Sequence, residues 1–145
     1  MADWDGRMLG LARYVAGWSK DPRTQVGCVI ADAGHRIVSL GFNGYPAGML
    51  DTIATDAHDV KHSRVMHAEL NALLFAGRPM PEGSTLYCTH PLCDRCMVAV
   101  LQAGIRRVVA ETDGRVRSVE WHQQIHRAQT YAQELNITYH LRTGV

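Results

Sequence analysis

An α/β fold is predicted by three observations. Two apolar runs separated by a tight turn signal lie near the N-terminus, helical and strand-like stretches alternate after them, and the composition is that of an ordinary globular chain. Strands that alternate with helices after a hairpin imply a mixed sheet with helices on both faces. The 145 residues suit one domain over 1–145, long enough to bury a core without disulfides. Hydrophobic residues make up 46% and charged ones 20%. A formal net charge of +1 provides no strong field to draw the chain to nucleic acid or an anionic membrane.

Trp4, Met8, Leu11, Val15 and Trp18 recur at steps of three and four, which predicts a helix from Trp4 to Trp18 with Asp3 as its N-cap. The two tryptophans are expected in the core. Ser19-Lys20-Asp21-Pro22-Arg23 is a polar break. Gln25 to Ala31 and Arg36 to Phe42 read as strands around the turn signal Asp32-Ala33-Gly34, so they should pair antiparallel. Cys28 reads as a small buried hydrophobe. Gly41-Phe42-Asn43-Gly44-Tyr45-Pro46 is a glycine-rich corner. Asn43 there is by default a turn residue, with a ligand-facing amide as the alternative.

Ala47 to Met66 carries the least pattern and is long for a plain connection, as lids and binding loops are. Its His58 and His62 are expected to be exposed, and would suggest a second metal site only if the stretch were helical. His67 to Ala76 is rich in good helix formers and ends at Gly77, Pro79 and Pro81. Thr85 to Thr89 follows as a strand, Cys93 to Ala103 as a helix closed by Gly104, and Arg106 to Ala110 as a strand. Glu111 to Arg117 is a polar turn, Val119 to Leu135 a long helix and Ile137 to Leu141 a last strand.

Of the four cysteines, Cys93 and Cys96 form a Cys-x-x-Cys while Cys28 and Cys88 stand alone in apolar runs. No signal peptide opens Met1-Ala2-Asp3-Trp4-Asp5, and no apolar run is of membrane length. A reducing, cytoplasmic setting with free thiols and a metal is expected.

The chemistry concentrates between His67 and Cys96. His67, Cys93 and Cys96 offer three ligands of a tetrahedral zinc site, with the fourth position left for water. Cys93 and Cys96 stand at i and i+3 in the first turn of one helix, and His67 opens another. Helix N-termini lower the cost of keeping cysteines as thiolates. Glu69, two residues from His67, is placed to move the water's proton to a leaving nitrogen. A lone Cys-x-x-Cys is a weak signal. His-x-Glu opening a helix, then a strand, then Pro and Cys-x-x-Cys opening a second helix is the pattern of the zinc nucleobase deaminases. The bland alternative is a zinc ribbon, with Glu69 merely favoured by the helix dipole.

From about Met8 to Ala110 the chain resembles the cytidine and deoxycytidylate deaminase superfamily, most of all the compact bacterial and phage deoxycytidylate (dCMP) deaminases. The resemblance rests on Ser19-Lys20-Asp21-Pro22 before Val26-Gly27, on Gly41-Phe42-Asn43-Gly44-Tyr45-Pro46, on Gly48 and Asp51-Thr52, on His67-Ala68-Glu69-Leu70-Asn71-Ala72, and on Thr89 to Cys96 followed by Gln102-Ala103-Gly104-Ile105. The long segment before His67 separates it from tRNA adenosine deaminases, and His67 itself from free-cytidine deaminases, which usually have Cys there.

That resemblance implies a three-layer α/β/α sandwich around a five-stranded mixed sheet, cytidine deaminase-like. It implies hydrolysis of dCMP to dUMP and ammonia, by zinc-activated hydroxide attacking C4 of cytosine. One zinc ion per chain would be held by His67, Cys93 and Cys96, with Glu69 as proton shuttle. Asn43 would bind the sugar, the backbone of Ala68 the pyrimidine, and Val26 would line the base pocket. It further implies homo-oligomers, often hexamers, with dCTP and dTTP acting as effectors with Mg2+. Gly41, Phe42 and Gly44 would contribute to the effector site, and Phe75 and Arg78 to the coupling interface; the bland readings of the last two are a core aromatic and a solvated arginine. Lys20, Arg23 and Lys61 are the candidate phosphate ligands.

One departure stands out. The family usually has Pro directly before the first Cys, where this chain has Leu92, with Pro91 one place earlier. Base preference is therefore open to a related cytosine nucleotide or a modified base. Single-stranded nucleic acid fits less well, given the weak basic character and the lack of an aromatic stripe. The reading from another class is a non-catalytic zinc module that binds nucleotides, against which Glu69 speaks. Beyond Glu111 little pattern is recognisable; the tail holds Arg115 and Arg117, and a His122/His126 pair that reads as an exposed helix face rather than a metal site.

Overall fold

The computed structural model describes residues 1–115 and 117–143. Five strands form one sheet in the order β2-β1-β3-β4-β5. They are β1 (Gly27–Ala31), β2 (Ile37–Phe42), β3 (Thr85–Cys88), β4 (Arg107–Thr112) and β5 (Thr138–Thr143). The hairpin β1/β2 is antiparallel as expected, with Cys28 opposite Gly41 and Val29 opposite Leu40. β1 also runs antiparallel to β3, pairing Cys28 with Cys88, whereas β3/β4 and β4/β5 are parallel. The sheet is therefore mixed. The crossovers that parallel pairs require are helices.

Five helices accompany it: α1 (Trp4–Ala16), α2 (His58–Arg64), α3 (Ala68–Phe75), α4 (Asp94–Gln102) and α5 (Val119–Glu134). β1 is buried on both faces, and its side chains alternate between two apolar layers. Val29 and Ala31 pack with Met8, Leu9 and Ala12 of α1. Cys28 and Ile30 pack with Ala68 and Ala72 of α3, Met97 and Val100 of α4, and Ala128 of α5. This is the three-layer α/β/α arrangement with its five-stranded mixed sheet.

Two glycines let helices lie directly on strands. A Cβ on Gly27 would collide with the backbone of Ala12 and Ala16 in α1. A Cβ on Gly41 would lie 2.5 Å from the carbonyl oxygen of Ala68 and 2.6 Å from the nitrogen of Ala72. The second contact seats α3 on the sheet, and with it the residues at the start of that helix.

Several expectations are corrected. Trp4 and Trp18 do not enter the core; they are 37% and 49% exposed. Trp4 stacks on His35 and carries the Arg7 guanidinium over its ring at 4.7 Å, and Trp18 meets Tyr14 and Phe42 edge-on. Helical spacing puts them on the apolar face, but they flank the sheet where it ends. α1 accordingly stops at Ala16, two residues short of Trp18, with Gly17 as C-cap. Phe75 is not a core aromatic but 75% exposed, at the end of α3. The long segment before His67 contains α2, none of whose residues is buried. Glu111 and Thr112 belong to β4 rather than to a turn, and Val116 of that expected turn lies outside the described residues. β5 begins one residue after Ile137 and runs past Leu141 to Thr143.

Candidate active site

Each functional side chain stands where a helix begins. His67 is the N-cap residue of α3, with extended backbone (φ −68°, ψ 152°), and its carbonyl accepts the first helical bond from Asn71 N at 3.0 Å. Its ring makes no capping bond, so both nitrogens stay available. Cys93 is the N-cap of α4, and its sulfur accepts from the backbone N–H of Cys96 at 3.5 Å. The helices thus start one residue later than the sequence suggests, so His67 and Cys93 sit at the mouths while Cys96 lies in the first turn of α4.

The packing of α3 beside α4 brings the two mouths together. His67 Nδ1 lies 3.2 Å from Cys96 Sγ and 3.6 Å from Cys93 Sγ. All three donor atoms fall within 4.8 Å of one another, and among the described residues they form the one such group of metal-capable side chains. A tetrahedral zinc with ordinary Zn–N and Zn–S bonds separates its ligands by roughly 3.5 Å. The spacing and the borderline-soft N/S/S donor set fit that ion.

The protonation pattern agrees. The Cys96 thiol beside it, with help from His67, holds Cys93 down to about 4. Cys96 is pushed far up, because Cys93 holds its proton and because it is buried. His67 is raised by its contact with Cys93. The three side chains share protons in a space where a cation would replace them.

Glu69 follows in the first turn of α3 and is only 4% exposed. Burial pushes its carboxyl above the ordinary value, with the charge on His67 opposing this. The Cys88 thiol donates to Glu69 Oε1 at 3.5 Å. A buried carboxyl beside three metal-capable side chains is the arrangement expected of a proton carrier.

A cleft of about 580 Å3 opens over these groups, a size suited to a small ligand. Val26, Asn43, His67, Ala68, Glu69 and Cys93 all line it, so these of the expected site residues are brought together there. The Asn43 side chain is 17 residues from Val26 in sequence yet clamps it: Oδ1 accepts from Val26 N and Nδ2 donates to Thr24 O, both at 2.8 Å. Of its amide groups, one N–H is left to face a ligand.

The structure does not gather the three expected phosphate ligands. Lys20 is exposed and paired with Asp51 at 2.9 Å, and Lys61 is paired with Asp21 at 3.2 Å. Arg23 is exposed, and none of the three lines the cleft. Gly41 lies under α3, Phe42 is 37% exposed, and Gly44 bridges to Met66. Phe75 and Arg78 lie on the surface, away from the cleft lining. His58 and His62 are exposed on α2, their rings stacked 5.9 Å apart, and both line the cleft.

The sequence left open whether His90 faces a substrate or solvent, and it gave no site role to Arg117, Ser118 and Trp121. His90, Arg117, Ser118 and Trp121 all line the cleft. Ser118 caps α5 by accepting from Trp121 N at 3.1 Å, and Arg117 lies over the Trp121 ring at 4.6 Å. Arg117 Nη2 donates to His90 Nε2 at 3.1 Å. Burial, with the Arg117 charge, lowers His90 to about 4, so it is neutral near pH 7. The Ser-x-x-Trp start of a long helix was the available signal.

Comparison with known proteins extends these observations. The family described as "Cytidine and deoxycytidylate deaminase zinc-binding region" matches residues 2–112. A protein of Aliivibrio fischeri named "Uncharacterized deaminase in luxG 3'region" is 45% identical over 108 residues, covering 74% of this chain and 72% of that protein. The "Deoxycytidylate deaminase" of Homo sapiens is 33% identical over 117 residues, covering 77% of this chain but 66% of that protein. Among solved structures, the dCMP deaminase of cyanophage S-TIM5 in complex with dCMP and dUMP superposes with a TM-score of 0.77 at 24% identity, covering 97% of this chain and 98% of the other. That likeness is one of fold.

Proposed function

The chain belongs to the cytidine and deoxycytidylate deaminase family, and on that footing we propose that it hydrolyses dCMP to dUMP and ammonia. The observation that carries the reading is the meeting of His67, Cys93 and Cys96 beside buried Glu69, at a cleft that His67, Glu69 and Cys93 line. His67, Cys93 and Cys96 would hold zinc. When bound, zinc supplies a Lewis acid that brings the pKa of water toward neutrality.

The chain's own groups do the rest. Glu69 takes a proton from the attacking water and delivers it to the departing amino nitrogen, so that water and dCMP become dUMP and ammonia. Its raised pKa suits both halves of that transfer. The Cys88 thiol holds one carboxylate oxygen in place. Val26 and the backbone of Ala68 border the base, and the free amide N–H of Asn43 meets the sugar.

Residues 1–145 form one deaminase domain in this reading. The family resemblance supports a homo-oligomer, hexameric in many members, with dCTP and dTTP as effectors together with Mg2+. Exposed Phe42 and Phe75 offer apolar surface for such contacts. No helix among the described residues is long and apolar enough to cross a membrane.

The test is direct. Zinc-loaded protein is incubated with dCMP, dCTP, cytidine and deoxycytidine, and the loss of cytosine absorbance is followed. Turnover of dCMP above the other three is the expected result. Turnover of none, with dCTP also tried as effector, would replace the enzyme with a nucleotide-binding module.

A further inference from the structure

We propose that Arg117 anchors the 5′-phosphate of the substrate and so sets a preference for nucleotide over nucleoside; this rests on the deamination reading above. A nucleoside monophosphate brings a dianion into the cleft along with its base. The cleft wall is otherwise adverse to it, because Asp21, Asp59, Glu69 and Glu120 all line it. Among the described residues Arg117 is the one Lys or Arg in that lining.

Arg117 is also held ready. Its side chain is 18% exposed. Nη1 donates to Asp113 Oδ1 at 3.1 Å and Nη2 to Asp113 Oδ2 at 3.0 Å, while Nη2 also donates to His90. The Trp121 ring supports the guanidinium plane from one side. Asp113 does not cancel the charge, since it also takes Arg115 Nε at 2.7 Å: two guanidiniums share one carboxylate. These bonds use three of the five guanidinium N–H groups, and among the described residues the other two have no protein partner. The guanidinium is rigid and positively charged, and its Nε–H and one Nη1–H remain to donate to a phosphate oxygen.

The position is equally telling. His90 precedes Cys93 by three residues, so the side chain that receives Arg117 belongs to the same loop that delivers a metal-capable cysteine. Through this bond the anchor is tied to the segment that carries Cys93, which holds it in position relative to the reacting end.

Calorimetric titration of the zinc-loaded chain with dUMP and with deoxyuridine tests this, in wild type, Arg117→Ala and Arg117→Lys. Wild type should bind dUMP more tightly than deoxyuridine. Arg117→Ala should weaken dUMP roughly ten- to hundredfold and leave deoxyuridine unchanged. Arg117→Lys should recover part of the loss, as a charge without the fork. An unchanged dUMP affinity in Arg117→Ala, or an equal fall for both ligands, would overturn the assignment. Wild-type protein that binds dUMP through Arg117 but releases no ammonia from dCMP would end the deamination reading alone. Protein that deaminates dCMP but binds both ligands alike would end this one alone.

Discussion

The backbone N–H of Leu92 donates to the phenol oxygen of Tyr139, 3.0 Å away and 47 residues later in the chain. Leu92 is the position where the family usually has proline, which has no N–H to offer. Here the freed donor is taken up by β5, and Leu92 itself is fully buried. Tyr139→Phe would strand that N–H in the interior. It should cost about 1–3 kcal/mol of stability and loosen the loop into Cys93. A urea titration reads the first effect, and zinc retention under competing chelator reads the second.

Asn43 has a structural share that is separable from any ligand contact. Asn43→Ala removes both bonds to the segment entering β1, at Val26 N and Thr24 O. Two part-buried backbone groups lose their partners, so a loss of about 1–2 kcal/mol is expected by urea unfolding. The variant should also show a raised KM for dCMP, because Val26 borders the cleft.

Acid should weaken the fold through Asp5. Arg107 grips its carboxylate at 2.9 and 2.6 Å and Tyr87 donates to it at 2.9 Å; these bonds hold its pKa below the ordinary value despite partial burial. A carboxyl whose folded pKa is depressed contributes stability that is full above the unfolded pKa of about 3.9 and is lost as pH falls through the folded value. Both side chains are partly exposed, at 27% and 37%, so solvent screening keeps the contribution to at most about 1 kcal/mol. Urea midpoints at pH 7 and pH 3 should differ less in Asp5→Asn than in wild type.

Metal removal should act on both activity and structure. Chelation should bring deamination to background, and zinc should restore it. Cys96→Ala should bind zinc at least about tenfold more weakly, as measured by competition with a chromogenic chelator. Activity that persists in exhaustively chelated protein would remove zinc from the account.

Much of this was readable beforehand, for local reasons. The Asp32-Ala33-Gly34 turn announced the β1/β2 hairpin, and Asp3 caps α1 through Gly6 N as its residue type suggested. His67, Glu69, Cys93 and Cys96 were legible because each is tied to the start of a helix, where spacing alone sets direction. α2 was not, because a helix that buries none of its residues leaves no apolar period to read. Trp4 and Trp18 misled because helical spacing marks a face but not how far the sheet beneath it extends. Arg117 was hidden for a third reason. Gly-Arg-Val-Arg reads as a solvated turn, and only the folding of the segment before α5 against His90 carries it into the cleft.

The central claim is that buried Glu69 moves the proton in a zinc-dependent deamination of dCMP. Ammonia release from dCMP by zinc-loaded wild type and Glu69→Gln tests it most directly, with zinc content measured on the same samples. The account predicts steady release by wild type and a rate lower by at least about a hundredfold in Glu69→Gln, at equal zinc content. A Glu69→Gln protein that releases ammonia at the wild-type rate would contradict it.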